Sequence, residues 1–179
     1  MQCLVIYGPP AVGKQTVAGL LARTSNAPII DNAGIIDLIQ PLIGHNNPEF
    51  AAVVYSLQLQ IINDAMRFGA HDLIVTFTFS ASARADVAFL QTLLEAGQRH
   101  SVKVQLVHLT AKKRALLERV ALPGRKAAHK LDDPKILEAM LQQYDMESPY
   151  PYQTSTTINT THLLPQEVAD QIRRATDFK

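Results

Sequence analysis

The chain has 179 residues, 47% of them hydrophobic and 18% charged, with 17 Lys and Arg set against 16 Asp and Glu. That apolar share excludes a disordered chain, and a net charge of +1 excludes a partner held mainly by bulk positive charge. A single cysteine, Cys3, excludes an internal disulfide framework and any cysteine-rich zinc site.

The length fits one domain spanning residues 1–179. The opening MQCLVIYG has no basic region ahead of its apolar run, which stops at Gly8 and Pro9. It reads as a first strand, Cys3–Tyr7, and not as a leader. A helix is expected over Gly13–Thr24, a short second strand over Ala27–Ile30, and a helix over Ile35–Ile43 that stops near Gly44. Glu49–Phe68 is the longest predicted helix, with Phe50, Val53, Val54, Leu57, Ile61, Ala65 and Phe68 as its apolar stripe. Leu73–Phe79, rich in β-branched and aromatic residues, predicts a third strand. Ser82 is placed to cap the next helix, whose apolar positions are Val87, Leu90 and Leu94. A fourth strand follows at Val102–Leu109, then a helix over Ala111–Leu122 that Pro123-Gly124 breaks. Asp133-Pro134 opens another helix, because proline is tolerated in a first turn. Ser148–Tyr152 is a proline-rich loop, Thr156–Thr160 a fifth strand, and Pro165–Thr176 the last helix. Strand and helix alternate throughout, which predicts an α/β fold with a parallel sheet covered on both faces. No apolar run approaches the ~18–20 residues of a membrane span, and a cytoplasmic protein without a membrane partner is expected.

Gly8-Pro9-Pro10-Ala11-Val12-Gly13-Lys14 fits the G-x-x-x-x-G-K core of a phosphate-binding loop. Glycines allow backbone angles that a β-carbon resists, so that successive N–H groups turn inward as an anion nest. The following helix points its N-terminus at the same place, and Lys14 adds a full charge within reach of β- and γ-phosphates. The match sits in the required context, between the first strand and the first helix. It departs from the full pattern in one place. The Ser or Thr that would hold Mg²⁺ is Gln15, with Thr16 next. An amide is a poor substitute for a hydroxyl in an octahedral magnesium shell. Either water and phosphate oxygens hold the ion, or Thr16 contacts a phosphate.

GPPAVGKQT resembles the loop of adenylate-kinase-like and shikimate-kinase-like small P-loop kinases. Adenylate kinases also lack a hydroxyl directly after the lysine and carry threonine one place later, where Thr16 stands. Over nearly its whole length the chain is similar to bacterial AAA-type ATP-binding proteins of kinase-like build, although only the phosphate loop is a specific motif. The resemblance implies the P-loop NTPase fold, a three-layer α/β/α sandwich on five parallel strands in the order 2-3-1-4-5. It also implies ATP with Mg²⁺ as donor, a basic lid after strand four, and Thr160 and Thr161 near the nucleobase.

Further candidates follow from geometry and charge. The first helix carries the chain ~18 Å from the phosphate loop, and the second strand brings it ~16 Å back. Asp31 therefore lands on the edge that holds Lys14. Shikimate-type kinases place an aspartate at about this point to orient or deprotonate the acceptor hydroxyl. A helix cap or turn residue is the plain alternative, and Asp37 is the runner-up. Up to Asn63 the only basic residues are Lys14 and Arg23, whereas Lys112–Lys135 holds eight against Glu118, Asp132 and Asp133. Arg119 and Arg125 in that segment resemble lid arginines, within a lid at about 119–131, with Pro123-Gly124 as hinge. The alternative is a solvated helix face. No aspartate closes LIVTFTF, which disfavours a work-producing ATPase. Arg84 is read as a surface residue, His108 as structural, and the six histidines show no metal-ligand spacing.

These features point to a phosphotransferase, with an ATP-dependent kinase of a small-molecule or nucleotide acceptor as the expectation. A nucleotide-binding module with little or no catalysis is the alternative. A kinase of nucleic-acid ends is disfavoured by the near-neutral charge. Monomer and homodimer remain equally open.

Overall fold

The computed structural model describes the chain apart from residues 45, 70, 128–130 and 179 and the side chains of Lys126 and Ala127. Strands β1 (Gln2–Gly8), β2 (Ile29–Ile30), β3 (Leu73–Thr78), β4 (Lys103–Thr110) and β5 (Thr156–Asn159) form one sheet, ordered β2-β3-β1-β4-β5, with every pair parallel. Helices α1 (Lys14–Ser25), α2 (Ala33–Ile43), α3 (Phe50–Phe68), α4 (Arg84–Arg99), α5 (Lys113–Val120), the short α6 (Gly124–Ala127), α7 (Pro134–Gln143) and α8 (Pro165–Ala175) link the strands. None of the described helices is long and apolar enough to cross a membrane.

The central strand divides the core by simple alternation. Leu4 and Ile6 point to one face, where α1, α5, α7 and α8 supply Val17, Leu21, Leu116, Leu137 and Ile172. Cys3, Val5 and Tyr7 point to the other, where α3 and α4 supply Ile62, Met66, Phe89 and Leu93. Burial pushes the Cys3 thiol up to about 12, so it packs as a small hydrophobe. Because all five strands run the same way, their carboxyl ends lie on one edge, and ligands of open α/β sheets bind there.

Three elements differ from the sequence reading. Strand β2 is only two residues long, because Pro28 has no N–H to give a ladder; its carbonyl instead accepts Ile74 N at 3.0 Å. In α3 the buried stripe is Phe50, Val54, Gln58, Ile62 and Met66, while Ile61 and Phe68 are 46% and 72% exposed. This helix is apolar around much of its circumference, so hydrophobicity alone did not fix its rotation. A directional contact adds to the packing: Tyr55 donates its hydroxyl to Asp86 Oδ1 at 2.8 Å. Ser82 does not cap α4, whose N-cap is Ala83; its Oγ accepts Asp145 N at 2.9 Å and ties down the loop after α7. Asp133 does cap α7, its Oδ1 accepting Lys135 N at 2.7 Å.

Candidate nucleotide-binding site

Strand β1 ends at Gly8, whose φ of 141° lies in the region that favours glycine. A Cβ there would stand 2.2 Å from the Leu109 carbonyl oxygen of the neighbouring strand, so nothing larger fits. Ala11 and Gly13 follow with φ of 63° and 105°. Left-handed residues spaced this way turn intervening amides to the inside of the loop. For Ala11 the conformation costs about 1–3 kcal/mol, a strain typical of ligand-clasping segments. Gly13 precedes α1 and offers no side-chain cap, and no acidic residue lies in the first turn. The first turn of α1 is thus left without a side-chain cap, an arrangement that suits an anion.

Lys14 closes the loop's mouth. Its ammonium donates to the carbonyls of Gly8 at 2.9 Å and Pro9 at 2.8 Å. From that position it can turn toward phosphate oxygens while the backbone stays in place. Pro9, Pro10 and Val12 complete the loop, Val12 with its side chain buried in the aliphatic core.

Gln15, on the first turn of α1, donates its side-chain amide to Asp31 Oδ2, and Asp31 Oδ1 accepts Ala33 N at 3.1 Å. Asp31 therefore does stand beside the phosphate loop, and it also fills the turn role that was its plain alternative. Asp37 lies farther along α2 and is exposed.

The other flank is held by Arg119. Its guanidinium donates to Thr160 Oγ1 at 3.0 Å, Thr160 O at 2.6 Å and Thr161 O at 3.3 Å. Thr160 in turn donates to Val12 O at 3.1 Å, which joins the β5–α8 turn to the phosphate loop. Arg119 and the fully buried Val120 thus belong to the packed body of the protein, and a lid drawn at 119–131 begins too early. Arg125 donates Nε to Leu131 O at 2.7 Å, and its partial burial lowers its pKa, against the pull of Asp132. Residues 128–130 of the expected lid lie outside the described residues.

The residues do not fit a protein-ligated magnesium ion. Gln15 presents an amide to a carboxylate, Thr16 is exposed, and Thr78 stands at the end of β3 where a carboxylate would be wanted. Among the described residues no group of three or more His, Cys, Asp or Glu side chains could hold a metal.

Two features escaped the sequence reading, one a buried carboxylate and one a cavity. Asp86 is 8% exposed and accepts Tyr55 Oη and, at 2.9 Å, Ser80 N; burial nonetheless raises its pKa. Only its place on the inner face of α4 could have flagged it. A cavity of about 310 Å³ opens beside Pro9, between the end of β4, Leu116 of α5, Leu141 of α7, Tyr144 just after it, and the loop at Asp145. Asp31 does not line it, because β2 and β4 lie on opposite sides of β1.

No family model matches the chain, and no curated protein matches it by sequence. Solved structures do match by fold. A protein of Chloroflexus aurantiacus, inferred to be a kinase, superposes with a TM-score of 0.70 at 18% identity over 98% of each chain. The tunicamycin resistance protein of Deinococcus radiodurans gives 0.66 at 21% identity, over 100% of this chain and 98% of its own. Shikimate kinase of Aquifex aeolicus gives 0.56 at 16% identity, over 97% and 95%. The chain has the fold of the small P-loop kinases.

Proposed function

We propose that the protein is an ATP-dependent phosphotransferase that moves the γ-phosphoryl group to a hydroxyl of a small molecule or nucleotide. The observation that carries this reading is the phosphate loop: two left-handed residues, an uncapped helix N-terminus and a lysine at its mouth, all on the carboxyl edge of a parallel sheet. In this reading the loop amides and Lys14 bind the β- and γ-phosphates and counter the charge that spreads over the transferring group. The acceptor oxygen forms a bond to the γ-phosphorus as the bond to the β–γ bridging oxygen breaks, and ADP leaves. Asp31 orients the acceptor hydroxyl and takes its proton. Each of its oxygens has one bond inside the protein and a second lone pair for the acceptor. Arg119 holds the Thr160–Thr161 turn beside the loop as a nucleobase wall, and Arg125 reaches the departing phosphoryl group when the segment after Val120 closes.

Lys14→Ala tests the reading. It removes a charge-assisted contact and leaves the core untouched, so ATP affinity by calorimetry should fall about 10- to 100-fold with the melting curve unchanged. Unaltered affinity in the folded variant would sink it. An amide at Gln15, where a metal-binding hydroxyl is usual, favours one second reading, a nucleotide-binding module with little turnover. A panel of hydroxylated metabolites separates the two. Acceptor-stimulated ATP consumption with a phosphorylated product supports the kinase, and binding without stimulation supports the module.

A further inference from the structure

We infer that Gln15 is a positioning residue that does for Asp31 what a protein-bound metal ion would otherwise do, and that the protein lends no ligand of its own to the magnesium that travels with the nucleotide. The inference rests on the phosphotransferase reading only for the task given to Asp31. The position after the phosphate-loop lysine is where a hydroxyl would join the metal shell. Here the side chain is two bonds longer and ends in an amide whose nitrogen is a donor only. That nitrogen meets Asp31 Oδ2, while the other carboxylate oxygen is taken by Ala33 N at the start of α2. The amide hydrogens place partial positive charge where an ion would place full charge. They do so without stripping water from a cation that releases it reluctantly. The pair also links two elements that are distant in sequence: α1, which carries the donor loop, and α2, which follows β2. Asp31 is therefore held in orientation before any ligand arrives, at a fixed place relative to the first turn of α1. Among the described residues no group of three or more His, Cys, Asp or Glu side chains could hold a metal there, and β3 ends in Thr78.

The consequence is a particular metal dependence. Turnover and nucleotide affinity should follow the concentration of the magnesium–nucleotide complex and gain nothing from free magnesium beyond it. Two substitutions of nearly unchanged length probe this in the full chain. Gln15→Met removes the donor: kcat should fall about 10-fold with KM for ATP unchanged, and excess magnesium should not restore it. Gln15→Glu turns the donor into an acceptor and sets two carboxylates face to face. At equimolar magnesium and ATP its turnover should fall about 10- to 100-fold, and excess magnesium should restore most of it, because two facing carboxylates now hold a cation. A purely packing role for Gln15 does not produce that difference in rescue. Calorimetric titration of magnesium into the nucleotide-free protein adds a readout without turnover. Gln15→Glu should take up the ion and the wild type should not. The inference is overturned if wild-type turnover or affinity for a non-hydrolysable ATP analogue climbs about 10-fold with free magnesium, or if folded Gln15→Met keeps the wild-type kcat. If Gln15→Met does not fold, the magnesium titration of Gln15→Glu against wild type decides. If no acceptor is ever phosphorylated, the kinase reading falls, while analogue affinity and the magnesium titration still judge the role of Gln15.

Discussion

On one face of the sheet, aliphatic side chains from α1, α5, α7 and α8 pack against Leu4, Ile6, Val107 and Leu109, and Phe178 is the one buried aromatic residue of that cluster. On the other face the layer is aromatic. Phe77 and Phe89 stack with centroids 4.1 Å apart, Tyr7 meets Phe79 edge-on at 5.1 Å, and Tyr150 closes the top. The buried polar groups Asp86, Ser80 and His108 belong to this second layer, and so does Gln58 of α3. His108 lies flat on Tyr7 at 4.9 Å, and neither ring nitrogen has a hydrogen-bond partner among the described residues. The contrast separates two jobs. The aliphatic layer carries the glycine-rich loop and α1, and packs mainly by volume, with Thr160 as a buried hydrogen-bonding group beside it. The aromatic layer must set the rotation of α3 and the course of the loop at 145–155, and it does so with directional bonds that fail when one partner is missing.

The largest effect is expected on the aliphatic face. Ile6→Ala should lower unfolding free energy by about 2–5 kcal/mol in urea titration, by transfer and cavity terms that carry no pH dependence. A loss that changes between pH 4 and 7 would erase the distinction between the layers.

The next effect is expected at His108. Burial pushes its pKa down to about 4 from 6.5, with Asp145 pulling the other way. The unfolded chain binds the proton more readily in that window, so stability should fall as pH drops from about 6.5 to about 4, by about 3 kcal/mol in total. Asp86, raised by burial, contributes with the opposite sign: its share is lost as pH rises through its folded pKa. Subtracting the profile of His108→Phe from that of the wild type isolates the histidine. A flat difference would mean that the ring keeps its ordinary pKa.

The smallest effect is expected at Tyr7, whose hydroxyl accepts Tyr150 N at 3.0 Å and pairs with Ser155 Oγ at 2.6 Å. Tyr7→Phe keeps the ring and strands a buried N–H, which costs about 1–2 kcal/mol. Hydrogen exchange should show the Tyr150 amide losing protection while amides of α1 keep theirs. Equal loss in both would show that the two layers unfold as one unit.

The elements and the turn between the first strand and first helix were legible because their signals are local. The run ending at Gly8 and the GPPAVGK spacing need no distant partner, and the observed strand, loop and helix follow them closely. Asp31 was reachable by counting residues along α1 and β2, since rise per residue is fixed. Its bond to Gln15 was not, because two side chains 16 residues apart meet only after the strand has paired. The rotation of α3 was misread for the same reason: its sequence is apolar on more than one side, and the choice falls to Asp86 on another helix. Arg119 looked like a lid residue by charge and neighbourhood. Its guanidinium instead faces Thr160, 41 residues later, and only the pairing of β5 with β4 brings that turn within reach. Local sequence thus determined where the chain makes strand, helix and glycine-rich loop, because backbone chemistry acts over a few residues. Tertiary structure decided which side chains that loop would meet, because hydrogen bonds and buried charges depend on what the folded chain brings within about 3 Å.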